Sequence, residues 1–128
     1  MQLSDRNRIS TLVLDAAIEV HKILGPGMTE SVYRACFCKE LSLRGIQFEK
    51  NIQFPVIYKN AQVDCSLTCD LLIENEVIVD IIAVEKTLQS NESKLLSAIQ
   101  ISNKNIAILI NFNVPRLIDG FKKFTKNF

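Results

Sequence analysis

The chain has 128 residues, nearly half of them hydrophobic, and 15 Lys and Arg against 14 Asp and Glu leave a net charge of +1. That length suits one domain, residues 1–128, which on folding hides roughly two-thirds of the extended chain's surface; with only three prolines, a packed core is expected rather than disorder. No apolar run approaches the roughly 20 residues that cross a bilayer, and Met1-Gln2-Leu3-Ser4-Asp5-Arg6-Asn7-Arg8 lacks a signal peptide's apolar segment, so a cytoplasmic protein with no membrane association and reduced cysteines is expected.

Ile9, Leu12, Val13, Ala16, Ala17, Val20 and Ile23-Leu24 recur at spacings of three and four, which predicts an amphipathic helix from about Ser4 to Leu24. Gly25-Pro26-Gly27 stops it and permits the turn into a second helix. Thr29 is placed to cap that helix, whose buried stripe reads as Val32, Tyr33, Cys36, Phe37, Glu40-Leu41 and Leu43-Arg44 and which ends at Gly45. Tyr33 reads as core with its hydroxyl bonded to a neighbour. From Ile46 to Val63 the pattern turns to β, with Lys59-Asn60 as a turn. Two oily runs, 67–73 and 77–84, then flank Glu74-Asn75-Glu76 and read as a hairpin. Asn91 to Ser102 predicts a third helix and Asn105 to Phe112 a buried strand. A short C-terminal helix from near Pro115 is expected to carry Leu117, Ile118, Phe121 and Phe124. The order α-α-β-β-β-α-β-α contains a strand–helix–strand crossover, which places strands in parallel. The expected class is α/β (α+β), a mixed sheet of about four to five strands flanked by helices.

The cysteines suggest no chemistry. Cys36 and Cys38 point to different sides of their helix, Cys65 and Cys69 lie roughly 13 Å apart, and neither pair has zinc-ligand spacing. All four read as free structural thiols. His21, the only histidine, borders an apolar helix stripe, which argues against Ser-His or Cys-His catalysis.

The informative feature is a pair of aspartates inside the hairpin's oily runs. In a hairpin centred on Asn75, Asp70 lies directly opposite Asp80 on one face of the sheet. Buried carboxylates are rare unless paired, and like charges opposite one another destabilise a sheet. Something positive is therefore expected between them, a divalent cation being the economical candidate and a protonated acid the alternative. Six acids and no base lie between Asp64 and Glu85, whereas Asn103 to Phe128 carries five bases against Asp119 alone. An acidic centre beside a basic tail suits a metal site flanked by a phosphate-binding surface; ordinary solvated charge is the plainer reading of the tail.

This element order, with a carboxylate on each strand of the middle hairpin, resembles the PD-(D/E)XK nuclease superfamily and its restriction-endonuclease-like fold. Gly27-Met28-Thr29-Glu30-Ser31-Val32-Tyr33 resembles the pattern that names the GxxExxY family. Gly25-Pro26-Gly27, Asp70-Leu71-Leu72, Val84-Glu85-Lys86 and Leu109-Ile110-Asn111-Phe112-Asn113-Val114-Pro115 add to the likeness, which covers about Asp15 to Phe121. The resemblance implies metal-dependent hydrolysis of nucleic-acid phosphodiesters. Two carboxylates on adjacent strands hold magnesium, which orients and acidifies a water, and a lysine two residues after the second carboxylate supports the reaction. Carried over, Asp70 is the first carboxylate and Asp80 the second, where the family usually has Glu. Glu30 approaches the metal or its waters.

Three departures cluster on the implied active face. The lysine position is Ile82, and the family commonly shows Gln where Lys94 stands and Tyr where Ala98 stands. They imply a retained fold with eroded chemistry, a pseudoenzyme. The alternative is a working nuclease in which the long side chain of Lys94 reaches back to replace the lost ammonium; Lys86, roughly 20 Å beyond Asp80, is too far. Glu30 has a plainer reading too, as a first-turn acid favoured by the helix dipole. A third possibility is a non-enzymatic binding or assembly module using the basic C-terminal helix or an exposed sheet edge. Nucleic acid is the implied partner and a homo-oligomer a further candidate.

Overall fold

The computed structural model describes residues 3–126; the ends of the N-terminal reading and of the basic tail, at Met1-Gln2 and Asn127-Phe128, lie outside the described residues. Two helices, α1 (Leu3–Leu24) and α2 (Glu30–Leu43), precede the strands β1 (Phe48–Tyr58), β2 (Ala61–Ile73) and β3 (Val77–Ile82). Helix α3 (Gln89–Ser102) leads into β4 (Ile106–Asn111), a 3-10 turn (Leu117–Gly120) and β5 (Phe121–Thr125). The strands form one sheet in the order β1-β2-β3-β4-β5. Only β3 and β4 are parallel, joined by the α3 crossover; the other neighbours are antiparallel.

The central strands are apolar on both faces because both are covered. Val77, Val79, Ile81, Ile106, Ile108 and Ile110 meet α1 and α2, whereas Ile78, Ala107 and Leu109 meet α3. Each such fully buried side chain contributes about 1.5–3 kcal/mol. The α1 stripe of Ile9, Val13, Ala16, Ala17 and Val20 is buried as its periodicity requires.

Tyr33 explains much of the motif around it. Its ring is fully buried and stacks on Phe112 at 4.6 Å between centroids. Its hydroxyl donates to the Gly25 carbonyl and accepts from the Met28 N–H at 3.1 Å. One side chain thus closes the loop between α1 and α2 and ties it to the end of β4. Gly25 and Gly27 adopt φ of +68° and +101° there, which glycine adopts without a Cβ penalty.

The expected C-terminal helix is absent; the segment is one 3-10 turn followed by β5. The spacing of Phe121 and Phe124 suits a helix stripe, but in a strand a separation of three sends them to opposite faces. Phe121, paired with Ile110, packs on the α1/α2 side, and Phe124, paired with Ala107, on the α3 side. β4 is buried along its whole length, so its outer backbone edge needs a partner strand. That demand outweighs the local helical pattern.

Gly120 makes the return possible. A Cβ at this position would lie 2.0 Å from the Asn111 carbonyl oxygen. Gly120→Ala is expected to lower stability by about 2 kcal/mol in urea denaturation; an unchanged midpoint would mean that the turn moves aside without loss.

Candidate active site

The β2–β3 ladder pairs Ile73 with Val77, Leu72 with Ile78 and Leu71 with Val79. One step further, where Asp70 and Asp80 oppose each other, side chains replace the backbone ladder. The Asp70 N–H donates to Asp80 Oδ1 at 2.8 Å, and the Ile81 N–H donates to Asp70 Oδ2 at 2.8 Å. The opposition expected of the hairpin is therefore present.

Asp70 is also where β2 changes its facing. Leu71 and Ile73 pack with α1 and α2, but Leu67 and Cys69, of the same parity, pack on the α3 side. β1 changes facing in step: Phe48 packs with α1 and α2, and Ile52 and Phe54 with α3. Between them Asn51 takes a left-handed φ of 54°. The register that pairs Lys50 with Leu71 and Ile52 with Cys69 sets Asn51 opposite Asp70. Register is unbroken across this point, from Phe48–Ile73 to Pro55–Ser66, so the two strands exchange faces together. The Asp70 carboxylate lies between β2 and β3, where it accepts the Ile81 N–H and meets Arg34 of α2.

Each helix sends one cation to the acid pair. From α3, Lys94 Nζ lies 2.9 Å from Asp80 Oδ2. From α2, Arg34 Nε lies 3.3 Å from Asp70 Oδ1, and its Nη2 lies 3.5 Å from Glu30 Oε1. Glu30, Arg34, Asp70, Asp80, Ile82 and Lys94 line one cleft of about 130 Å³. All four candidate site residues from the sequence thus converge. Arg34 is the residue that sequence reasoning missed; its signal was the single helical turn separating it from Glu30. The positive charge that the acid pair demands is met here by two side chains.

Asp80 is 5% exposed, and each of its oxygens has a donor. Burial pushes the Asp70 carboxyl above its ordinary range. The Ile81 N–H opposes that rise, the Asp80 charge adds to it, and Arg34 and Lys94 offset it only in part. For Lys94, burial disfavours the charge, but the hydrogen bond and charge of Asp80 win and raise its pKa. Burial, then Asp80, pushes the neighbouring Cys69 thiol up to about 12, so it stays protonated at neutral pH. The four cysteines are free, as expected. His21 lies apart from the cleft, its Nε2 2.7 Å from the Val114 carbonyl.

A buried asparagine fixes the helix that carries Lys94. Asn111 donates through Nδ2 to the Val84 carbonyl at 3.0 Å and to Thr87 Oγ1 at 3.1 Å. Its Oδ1 accepts from the N–H groups of Val84 and Asn113. This amide prolongs the β3–β4 pairing beyond Ile82 and anchors the segment that enters α3.

A family model described as the PD-(D/E)XK nuclease superfamily matches residues 7–124. The chain belongs to that superfamily. No curated protein and no solved structure matches it significantly. The mixed five-stranded sheet with helices on both faces is consistent with the superfamily's restriction-endonuclease-like core.

Among the described residues of this PD-(D/E)XK domain, no group of three His, Cys, Asp or Glu is arranged to hold a metal ion, and no helix is long and apolar enough to cross a membrane. The basic tail does not gather on one surface. Lys104 is held by Asn75, Lys122 by Glu92 of α3, and Lys123 by Asn7 of α1, on opposite sides of the sheet.

The raised Asp70 pKa has a definite sign in stability. The native state binds this proton more tightly than the unfolded chain, so the carboxyl's contribution falls as pH rises from the ordinary carboxylate value through the raised one. Asp70→Asn removes that loss while keeping an acceptor for Ile81. Compared with wild type by urea denaturation, the variant is expected to gain in relative stability between about pH 3 and pH 7; a wild type that gains on it over that window contradicts the assignment.

Proposed function

We propose that this PD-(D/E)XK domain, of the GxxExxY type by its motif, is a magnesium-dependent nuclease whose lysine is carried by helix α3 instead of strand β3. One observation carries the reading: Lys94 Nζ lies 2.9 Å from Asp80 Oδ2, in the cleft that also holds Asp70. Ile82, on the same face of β3, leaves hydrocarbon where the strand lysine would stand. The ammonium is missing from the strand and supplied from above it.

The donor set suits a hard cation. Magnesium needs only one or two carboxylates and fills its remaining positions with water. Asp70 and Asp80, facing one another in the cleft, supply those carboxylates. Glu30, lining the same cleft, is placed to accept hydrogen bonds from the cation's waters. Bound there, magnesium would supply an acidified water and neutralise charge on the attacked phosphate. Lys94, its pKa raised, is fully charged at neutral pH and serves as a hydrogen-bond donor rather than a base. Its role is to orient the attacking water and stabilise charge on the phosphorus centre.

A degenerate domain is the second reading. It is favoured by the hydrocarbon at Ile82, by Asp rather than Glu at position 80, and by the partnering of Glu30 with Arg34.

Cleavage of plasmid or labelled oligonucleotide with Mg²⁺ or Mn²⁺ separates the two. Lys94→Ala is expected to reduce turnover on the order of 100-fold or more, and Ile82→Lys in that background to recover a measurable part of it. Equal turnover by wild type and Lys94→Ala overturns the migrated-lysine reading, and a wild type without metal-dependent cleavage leaves the degenerate one.

A further inference from the structure

Arg34 stands at the junction of two depressions. One is the acidic cleft. The other is a groove of about 410 Å³ between α2 and β1, lined by Ser31, Arg34, Ala35, Cys38, Lys50 and Asn51. None of these lining residues is acidic, and two are permanent cations. The depressions adjoin because Asn51 lies opposite Asp70 in the β1–β2 register. Lys50 belongs to the α2 face, since its cross-strand partner Leu71 packs there. Arg34 and Lys50 both act electrostatically on the Cys38 thiol, as does Asp70 with the opposite sign, which places all three near the groove.

Arg34 is not saturated by its acids. Its Nε lies near Asp70 Oδ1, yet the N–H is buried with no aligned acceptor among the described residues. The Arg34 side chain as a whole is 32% exposed, and the planar fork of a guanidinium matches phosphate oxygens. In the tail, by contrast, Lys122 and Lys123 lie on opposite faces of the sheet.

We infer that this groove binds the sugar–phosphate backbone of a nucleic-acid strand beside the scissile bond, with Arg34 on the phosphate nearest the acid pair and Lys50 on the flanking one. The position of the scissile bond rests on the nuclease reading; the binding of the strand does not.

The test is fluorescence anisotropy on the full chain without magnesium. The probe is a labelled single strand of roughly 15 nucleotides, as DNA and as RNA, between about 50 and 200 mM salt. Lys50→Ala, an exposed position, is expected to weaken binding about 3- to 10-fold and to make the salt dependence shallower by about one unit of slope. Arg34→Lys, which keeps charge but loses the fork, is expected to weaken binding less than Arg34→Ala does. Lys39→Ala, on the side of α2 that faces α1, is expected to leave affinity and slope unchanged. No binding of either strand by wild type, an unchanged slope in Lys50→Ala, or an equal loss in Lys39→Ala overturns the inference. Lys50-dependent binding by a protein that cleaves nothing keeps the groove and removes the nuclease; cleavage with Lys50-independent binding does the reverse.

Discussion

Beyond the Leu71–Val79 pair, the two central strands are no longer joined backbone to backbone. Two aspartates take over, each carboxylate accepting the N–H that a carbonyl would have taken. This exchange has two effects at once. It keeps β2 and β3 in register where they begin to separate, and it holds two negative charges in a partly buried gap. Backbone N–H groups must be satisfied when buried, so the carboxylates are structurally required there whatever else they do. Their charge makes that solution costly, and the arrangement of the neighbouring helices follows from it.

The answer comes from both faces of the sheet. α2 contributes Arg34 to Asp70, and α3 contributes Lys94 to Asp80, which shares the α3 face of β3 with Ile78 and Ile82. Without the change of facing at Asn51 and Asp70, the Asp70 carboxylate would share the α3 face of Leu72, away from Arg34. The chain spends further buried polar groups on holding those helices in place. Tyr33 fastens the loop before α2, and Asn111 fastens the segment before α3. Neither touches the acids. Both determine where the cations arrive.

What the sequence revealed and what it concealed divide along physical lines. The opposition of Asp70 and Asp80 was legible because a short loop sets hairpin register and register sets facing. The three helices were legible from their apolar stripes. β5 was not, because Phe121 and Phe124 satisfy a helical spacing as well as they bracket a strand; only the unpaired edge of β4 decides between the two. Arg34 was hidden because a charged residue on a helix reads as solvated until the opposite wall is known. The change of facing in β2 was hidden too, its only sign being an asparagine tolerant of left-handed φ at position 51 of the neighbouring strand. The tail's excess of bases was visible as a count, but a count carries no direction.

The asparagine at the end of β4 has an implication for how such a centre changes over time. A lysine on a strand inherits its aim from the sheet, so nothing beyond the ladder need hold it. A lysine transferred to a helix acts as the tip of a lever arm, and small rotations at the lever's root displace it by ångströms. The root here is the junction that Asn111 clamps through three hydrogen bonds. On the migrated-lysine proposal, part of the site's precision passes to an uncharged amide on the neighbouring strand β4, beside Ile82.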